Sequence, residues 1–335
     1  MRIAVDAMGG DFAPGEIVAG AVRAALGFPA IQRLILVGDE AAVRRELDRL
    51  PKVPASIEIR HASEAIGMDE HPATAVRRKK DSSINRAVDL VKTGEADAML
   101  SAGNTGAVMV ASTLKLRTLE GIDRPAIATV LPSPHQPFVL IDAGANTDCT
   151  PLHLTQFAVM GAVYARQILG RANPVVGLMS VGTEATKGNE VTKETFRLLT
   201  ESKLNFKGNI EGHDLFTGEI DVVVCDGFVG NVILKTVESV GHAVGKWIKR
   251  EFSAGPIRLA GALLLSGAIR AMKRVMDPSS YGGAPLLGVN GISIITHGAS
   301  KANAIYHAVR VAKESAESRL NQMLVREIQN MGGVP

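Results

Sequence analysis

Short, continuous apolar runs rich in Val, Ile and Ala punctuate this chain, and almost every one is followed by a longer stretch with helical spacing. The runs are 3–5, 34–37, 57–59, 96–100, 126–131, 138–141, 175–179, 222–225 and 292–295. Strands with no polar alternation are buried on both faces, and their alternation with helices builds a parallel sheet covered on both sides. Between the runs at 126–131 and 138–141 there is no room for a helix, and Pro132, Pro134 and Pro137 mark a hairpin-like reversal. The expected fold class is therefore α/β, a three-layer α/β/α arrangement around a mostly parallel mixed sheet. At 335 residues the chain can bury a substantial core. It reads as one α/β unit over residues 1–335, with a basic amphipathic helical insertion at about 246–277.

Glycines and polar residues gather immediately after the strands, at 6–11, 101–106, 142–146, 181–184, 226–231 and 296–300. In an open α/β sheet ligands bind outside the carboxyl ends of the strands, so these loops are expected to converge on one site. Familiar nucleotide and metal signatures are missing. No two of the 34 glycines stand at i and i+2, which removes the dinucleotide fingerprint, and no Walker A loop occurs. Zinc-protease, zinc-ribbon and nucleophile-elbow patterns are also missing, and Asp6, Asp142 and Asp226 have no second carboxylate at ligand spacing. Neither metal nor cofactor is expected.

What the loops offer instead is anion binding. Gly103, Asn104, Thr105 and Gly106 join a buried strand to a helix starting near Ala107, and Asp226, Gly227 and Asn231 repeat the pattern before a helix from Val232 toward Phe252. Backbone amides and the positive end of a helix suit a phosphate-like ligand; a tight turn with Asn104 or Thr105 as helix cap is the plain alternative. Lys187, in the polar connection from Gly182 to Gly188, is the best placed cation for such an anion, although most surface lysines are only solvated. His297 ends a strand and could move a proton or donate to an oxyanion; a histidine at the core edge that caps the next turn is the competing reading. Cys225 sits in an apolar strand and reads as an inert hydrophobe.

Charge is uneven. Residues 246–274 carry seven basic side chains against Glu251, a net of +6, which leaves −3 for the rest of a chain whose net is +3. Inside that segment lies an uncharged, largely apolar stretch of eleven residues from Leu259 to Ile269, well short of the ~20 needed to span a bilayer. Leu263 and Leu264, flanked by Arg270, Lys273 and Arg274, have the pattern of an interfacial anchor on an anionic membrane surface, and equally that of a buried or dimer-interface helix. A second basic cluster, Arg77, Arg78, Lys79 and Lys80, is either a solvated face or a landing place for an acidic protein. Aromatic content of 4% with one tryptophan gives no platform for nucleic acid, and the N-terminus has no secretory pattern; two cysteines without a disulfide framework suit a reducing cytosol.

Taken together, Asp6-Ala7-Met8-Gly9-Gly10-Asp11, Arg77 to Ser83, Ser101-Ala102-Gly103-Asn104-Thr105-Gly106, Gly121 to Pro125, Asp142-Ala143-Gly144-Ala145-Asn146, Asp226-Gly227-Phe228-Val229-Gly230-Asn231 and Tyr281 to Gly288 resemble the bacterial acyl-[acyl carrier protein]:phosphate acyltransferase (PlsX) family. The resemblance runs in order from residue 1 to about His307, with Pro285 as a departure from the family pattern. It implies a fold similar to the isocitrate and isopropylmalate dehydrogenases and the phosphotransacetylases. It also implies reversible transfer of a long fatty acyl chain from acyl carrier protein to inorganic phosphate, giving acyl phosphate for phospholipid synthesis. A homodimer in the cytoplasm, peripheral at the membrane and feeding a membrane glycerol-3-phosphate acyltransferase, follows from the same resemblance. Under it Lys187 would hold phosphate charge, Asn231 and the Gly103–Gly106 amides would position it or face the oxyanion, and His297 would protonate the leaving thiol. Phosphate is itself the nucleophile, consistent with the missing serine and cysteine motifs. The competing functions are a short-chain acyl-CoA phosphotransacylase, a non-catalytic membrane scaffold and a dehydrogenase.

Overall fold

The apolar runs become strands, and the computed structural model describes them within residues 1–269, 271 and 282–331. The strands are β1 (Arg2–Asp6), β2 (Arg33–Gly38), β3 (Ile57–His61), β4 (Ala98–Ser101), β5 (Ala126–Leu131), β6 (Phe138–Ile141), β7 (Val175–Met179), β8 (Asn205–Ile210), β9 (Val222–Val224), β10 (Ala284–Leu287) and β11 (Ile292–Ile295). Among the described residues they form one sheet in the order β3-β2-β1-β4-β11-β10-β5-β6-β9-β7-β8. The helices are α1 (Gly15–Gly27), α2 (Glu40–Asp48), α3 (Pro72–Arg78), α4 (Ser83–Lys92), α5 (Thr105–Leu116), α6 (Pro151–Ile168), α7 (Glu190–Glu201), α8 (Gly227–Phe252), α9 (Pro256–Leu264), α10 (Ala302–Glu317) and α11 (Leu320–Asn330).

Alternate residues of each strand feed opposite layers, as the two-residue period of a pleated strand requires. Ile3, Val5, Leu34 and Leu36 pack under α1 and α10, whereas Ala4, Ile35, Val37 and Met99 pack under α4 and α5. In the other half Val139, Ile141, Val222 and Val224 meet α6 and α11, and Leu140 and Val223 lie in the layer joined by Ile233 and Leu234 of α8. The architecture is the expected three-layer α/β/α with a mostly parallel mixed sheet.

Direction along the sheet decides where its loops go. β3, β2, β1, β4 and β11 are mutually parallel; β10 is antiparallel to β11 and to β5, and β5 is antiparallel to β6. β6, β9, β7 and β8 are again parallel to one another. The two parallel runs therefore point in opposite directions, and their carboxyl ends leave opposite edges of the sheet. This corrects the expectation of a single crevice gathering all six loops.

Both long connections begin earlier than their sequence placed them. Asn104 accepts from the Ala107 amide at 3.0 Å and caps α5, and Asp226 accepts from the Val229 amide at 2.8 Å and caps α8. Beyond its first turns α8 is poorly covered: only Gly227 and Gly230 are buried along it, and α9 has no buried residue. The proposed insertion at 246–277 includes the end of α8 and all of α9, while residues 270 and 272–277 lie outside the described residues. No described helix is long and apolar enough to cross a membrane.

Candidate active site

On the β1, β4 and β11 edge the loops are laced together by their own polar groups. The buried Asp6 carboxylate accepts from Ser101 Oγ at 2.6 Å and from the Met8 amide at 3.1 Å; burial pushes its pKa up while these donors oppose the rise. The Asp11 amide donates to the Gly298 carbonyl at 2.8 Å, and the Thr296 amide to the Ser101 carbonyl at 2.9 Å. Close approach explains Gly9, where a Cβ would stand 2.3 Å from Asp6 Oδ2 and 2.7 Å from the Gly103 nitrogen. The Asn104 side chain is fully occupied: Nδ2 faces the carbonyls of Gly67, Met68 and Glu70 at 3.3, 3.1 and 3.0 Å, and Oδ1 is the cap. It tethers the 67–70 loop, so any ligand here would meet the Thr105 and Gly106 backbone. His297 is exposed, its Nδ1 accepting from the Ala299 amide at 3.1 Å.

The opposite edge is built around Asp142. Its Oδ1 accepts from the amides of Ile127, Gly144 and Ala145 at 3.1, 3.1 and 2.9 Å; Oδ2 accepts from the Asn146 amide at 2.7 Å and from Asn146 Nδ2 at 2.9 Å. Burial pushes this carboxyl up, and the five donors pull the other way by favouring its charged form. The pinned loop in turn sets the start of α8: the Gly227 amide donates to the Asn146 carbonyl at 2.7 Å, and a Cβ on Gly144 would lie 3.5 Å from that of Asn231. Asn231 and Asp226 stand at this helix entrance, Asn231 exposed.

Since β6, β9 and β7 are neighbours in the sheet, at ~4.8 Å per step their carboxyl ends lie within about 10 Å. The loop after β7 carries Lys187, which is exposed and has no ion-pair partner among the described residues. That loop is tied down by Asn209 Nδ2 donating to the Glu184 carbonyl at 2.9 Å and by the Lys187 amide donating to the same carbonyl at 3.0 Å. Both thiols are held protonated. Burial, reinforced by the Asp142 and Asp226 charges, pushes Cys149 up to about 12 and Cys225 well above its ordinary value.

The structure thus brings Lys187, Asn231, Asp226 and Gly227 to one edge and puts His297 with Gly103, Asn104, Thr105 and Gly106 on the other. Among the described residues no hydrogen bond links the two groups. Sequence reasoning passed over Arg124, which precedes β5 on the Asp142 edge. Its Nη1 donates to the Asp148 carbonyl at 3.4 Å, its charge is felt at Cys149 and His153, and Asn146 Nδ2 donates to the neighbouring Pro125 carbonyl at 2.8 Å. Its only signal was membership of the Gly121–Pro125 motif.

Of the proposed docking residues, Arg77 and Arg78 end α3, Lys79 pairs with Glu70 at 2.5 Å, and Lys80 is exposed. Leu263 and Leu264 in α9 are 69% and 89% exposed. Arg270, Lys273 and Arg274 lie outside the described residues, as does Tyr281.

Comparison with known proteins adds a family, a curated relative and two solved structures. The profile of a family described as "Fatty acid synthesis protein" matches residues 1–323. A phosphate acyltransferase of Desulfitobacterium hafniense is 54% identical over 329 residues, 98% of each chain. Among solved structures, a phosphotransacetylase from Streptococcus pyogenes has a TM-score of 0.65 at 18% identity, covering 95% of this chain and 94% of its own. A 4-hydroxythreonine-4-phosphate dehydrogenase from Klebsiella pneumoniae has a TM-score of 0.55 at 15% identity, covering 94% of this chain and 98% of its own. At such identities the likeness is one of fold, and it is the dehydrogenase-like α/β fold.

Proposed function

This chain belongs to the fatty acid synthesis protein family and is an acyltransferase, and from that premise we propose that it moves a long fatty acyl group from the thioester of acyl carrier protein to inorganic phosphate, at the sheet edge that carries Asp142, Asp226 and Lys187. An oxygen of hydrogen phosphate attacks the thioester carbonyl, the carbon–sulfur bond breaks, and the carrier leaves as a thiol, its sulfur taking the proton that the phosphate gives up on becoming the acyl phosphate dianion. The product is acyl phosphate, the substrate of a membrane glycerol-3-phosphate acyltransferase in phospholipid synthesis.

The observation that carries this reading is a lysine with no ion pair among the described residues, in the loop after the strand next to β9, together with an α8 entrance locked in place by a buried carboxylate and both thiols protonated. Lys187 supplies charge to the phosphate dianion, and Asn231 in the second turn of α8 orients it and meets the developing oxyanion. A protonated buried thiol is a poor nucleophile, so the attacking atom comes from the bound anion and the polypeptide stays unacylated. His297 and the Gly103–Gly106 amides, on the opposite edge, are left out of this centre.

For location, the exposed apolar side chains of α9 support peripheral binding to an anionic membrane from the cytoplasm, with a second copy of the chain completing a homodimer. The test is incubation of palmitoyl-acyl carrier protein with phosphate. Acyl phosphate and free carrier should form, and Lys187→Ala should cut turnover by at least ~10². Turnover of acetyl-CoA in preference would favour a short-chain phosphotransacylase, and a near-normal rate for the variant would remove Lys187 from the centre.

A further inference from the structure

We infer that the groove between α4 and α5 is a docking site for an acidic amphipathic helix of a partner protein, a conclusion that rests on the carrier-thioester reading above and names where such a donor lands. Two adjoining cavities of about 640 and 330 Å³ share Leu114 and Lys115 and together follow α4 past the last turn of α5. The first is lined by Arg77, Lys80 and Arg86, the second by Lys92 and Arg117.

The charge is one-sided. Two acids line the groove, and each already has a partner: Asp81 meets Arg86 at 2.6 Å and Asp89 meets Lys115 at 2.8 Å. Arg77, Lys80, Lys92 and Arg117 have no ion pair among the described residues and are exposed. In the middle stands Leu114, 55% exposed on a helix whose other apolar residues mostly face the core. An apolar anchor ringed by unpaired cations matches a helix with one apolar face and acidic flanks. A second copy of this chain related by a two-fold would bring like charges together. No aromatic ring lines either cavity on which a nucleic-acid base could stack.

Position adds to the case. α5 starts beside Ser101 and runs back along the sheet for 12 residues, about 18 Å, so Leu114 and Arg117 emerge at the other edge. There the Asn290 amide donates to the Arg117 carbonyl at 2.9 Å and the Leu119 amide to the Gly288 carbonyl at 2.9 Å, placing Arg117 where β10 ends and β5 begins. The chain then continues through Arg124 to the loop of Asp142. The groove thus opens onto the edge where the acyl group is to be delivered.

The experiment measures binding of fluorescently labelled holo-acyl carrier protein by anisotropy, in parallel with turnover of palmitoyl-acyl carrier protein. The double variant Lys92→Glu/Arg117→Glu, and separately Leu114→Asp, should weaken binding and raise KM for the carrier substrate at least about tenfold, with kcat and KM for phosphate within twofold of wild type. Arg45→Glu on α2 should change nothing, and wild-type affinity should fall with added salt. Wild-type affinity in both groove variants overturns the groove while leaving the reaction standing. An equal fall in kcat or a shift in phosphate KM also overturns it, since either would mean that the substitutions disturb the centre and not the landing site. Failure of the wild-type enzyme to turn over the carrier thioester overturns the reaction reading itself.

Discussion

Replacing Asp142 by Asn keeps the shape of the side chain and removes half of its accepting capacity. The amide oxygen can stay with the three donors at Oδ1, from Ile127, Gly144 and Ala145, but an NH2 group then faces the Asn146 amide and Asn146 Nδ2, both within 2.9 Å of the lost oxygen. Each orphaned donor costs about 1–3 kcal/mol, offset in part because a neutral amide is easier to bury than a carboxylate, so a net loss of about 3 kcal/mol is expected. The damage extends beyond stability, because Asn146 also accepts from the Gly227 amide and so fixes the start of α8, one turn before Asn231. A displacement of that entrance by ~1 Å should lower kcat by about 10². Equilibrium urea unfolding gives the first number and the phosphate-dependent release of carrier thiol gives the second. A variant within ~1 kcal/mol of wild type would refute the donor accounting, and a destabilised variant with unchanged kcat would refute the link from this carboxylate to the centre.

Gly230→Ala would put a Cβ 1.9 Å from the Asp142 carbonyl oxygen, with no flexible group to yield; a loss of at least ~2 kcal/mol by urea unfolding is expected. Cys149, pushed up to about 12, should be thiolate in roughly one molecule in 10⁴ at pH 8, so iodoacetamide labelling of the folded protein should be slow and rise about tenfold per pH unit from 8 to 11. Labelling at the rate of a free thiol at pH 8 would contradict the burial. Leu263→Glu with Leu264→Glu should abolish co-sedimentation with anionic lipid vesicles while leaving turnover of soluble substrate unchanged.

The strands legible in the sequence were those buried on both faces. Residues 126–131, 138–141, 175–179 and 292–295 have the bounds of β5, β6, β7 and β11, because a strand between two helix layers is apolar along nearly all its length, with Thr129 and Ser293 the polar exceptions here. β8 and β10 escaped notice for physical reasons. β8 is an edge strand in which exposed Asn205 and Lys207 alternate with better covered residues, so it lacks a continuous run. β10 is four residues long and contains Pro285, tolerated inside the sheet because that residue's register is with β11 alone; pairing to β5 starts at Leu286. Helix starts were read late for a related reason. Gly103, Gly106, Gly227 and Gly230 look like loop residues in a sequence, whereas the caps Asn104 and Asp226 admit Gly106, Gly227 and Gly230 into their helices.

The candidate site was legible as chemistry and illegible as geometry. The rule that ligands gather beyond the carboxyl ends of strands holds within one parallel run, and six loops of similar composition gave no sign that they belonged to two runs of opposite direction. That reversal is written in the weakest strand signals: the Pro132–Pro137 hairpin turns the chain once, and β10, inserted from far along the sequence, turns the sheet again. Once direction is known the loops sort themselves. Arg117, Arg124, Asp142, Asp226 and Lys187 line one contiguous edge from β10 to β7 in the sheet, and their order along it follows sheet position, not sequence. A cation at the end of the α4–α5 groove, a second beside the Asp142 loop and a third after β7 make a basic track across that edge. Under the proposed reading the first of these cations meets only the carrier and the two beyond it face the anion, a division among side chains that no single motif unites.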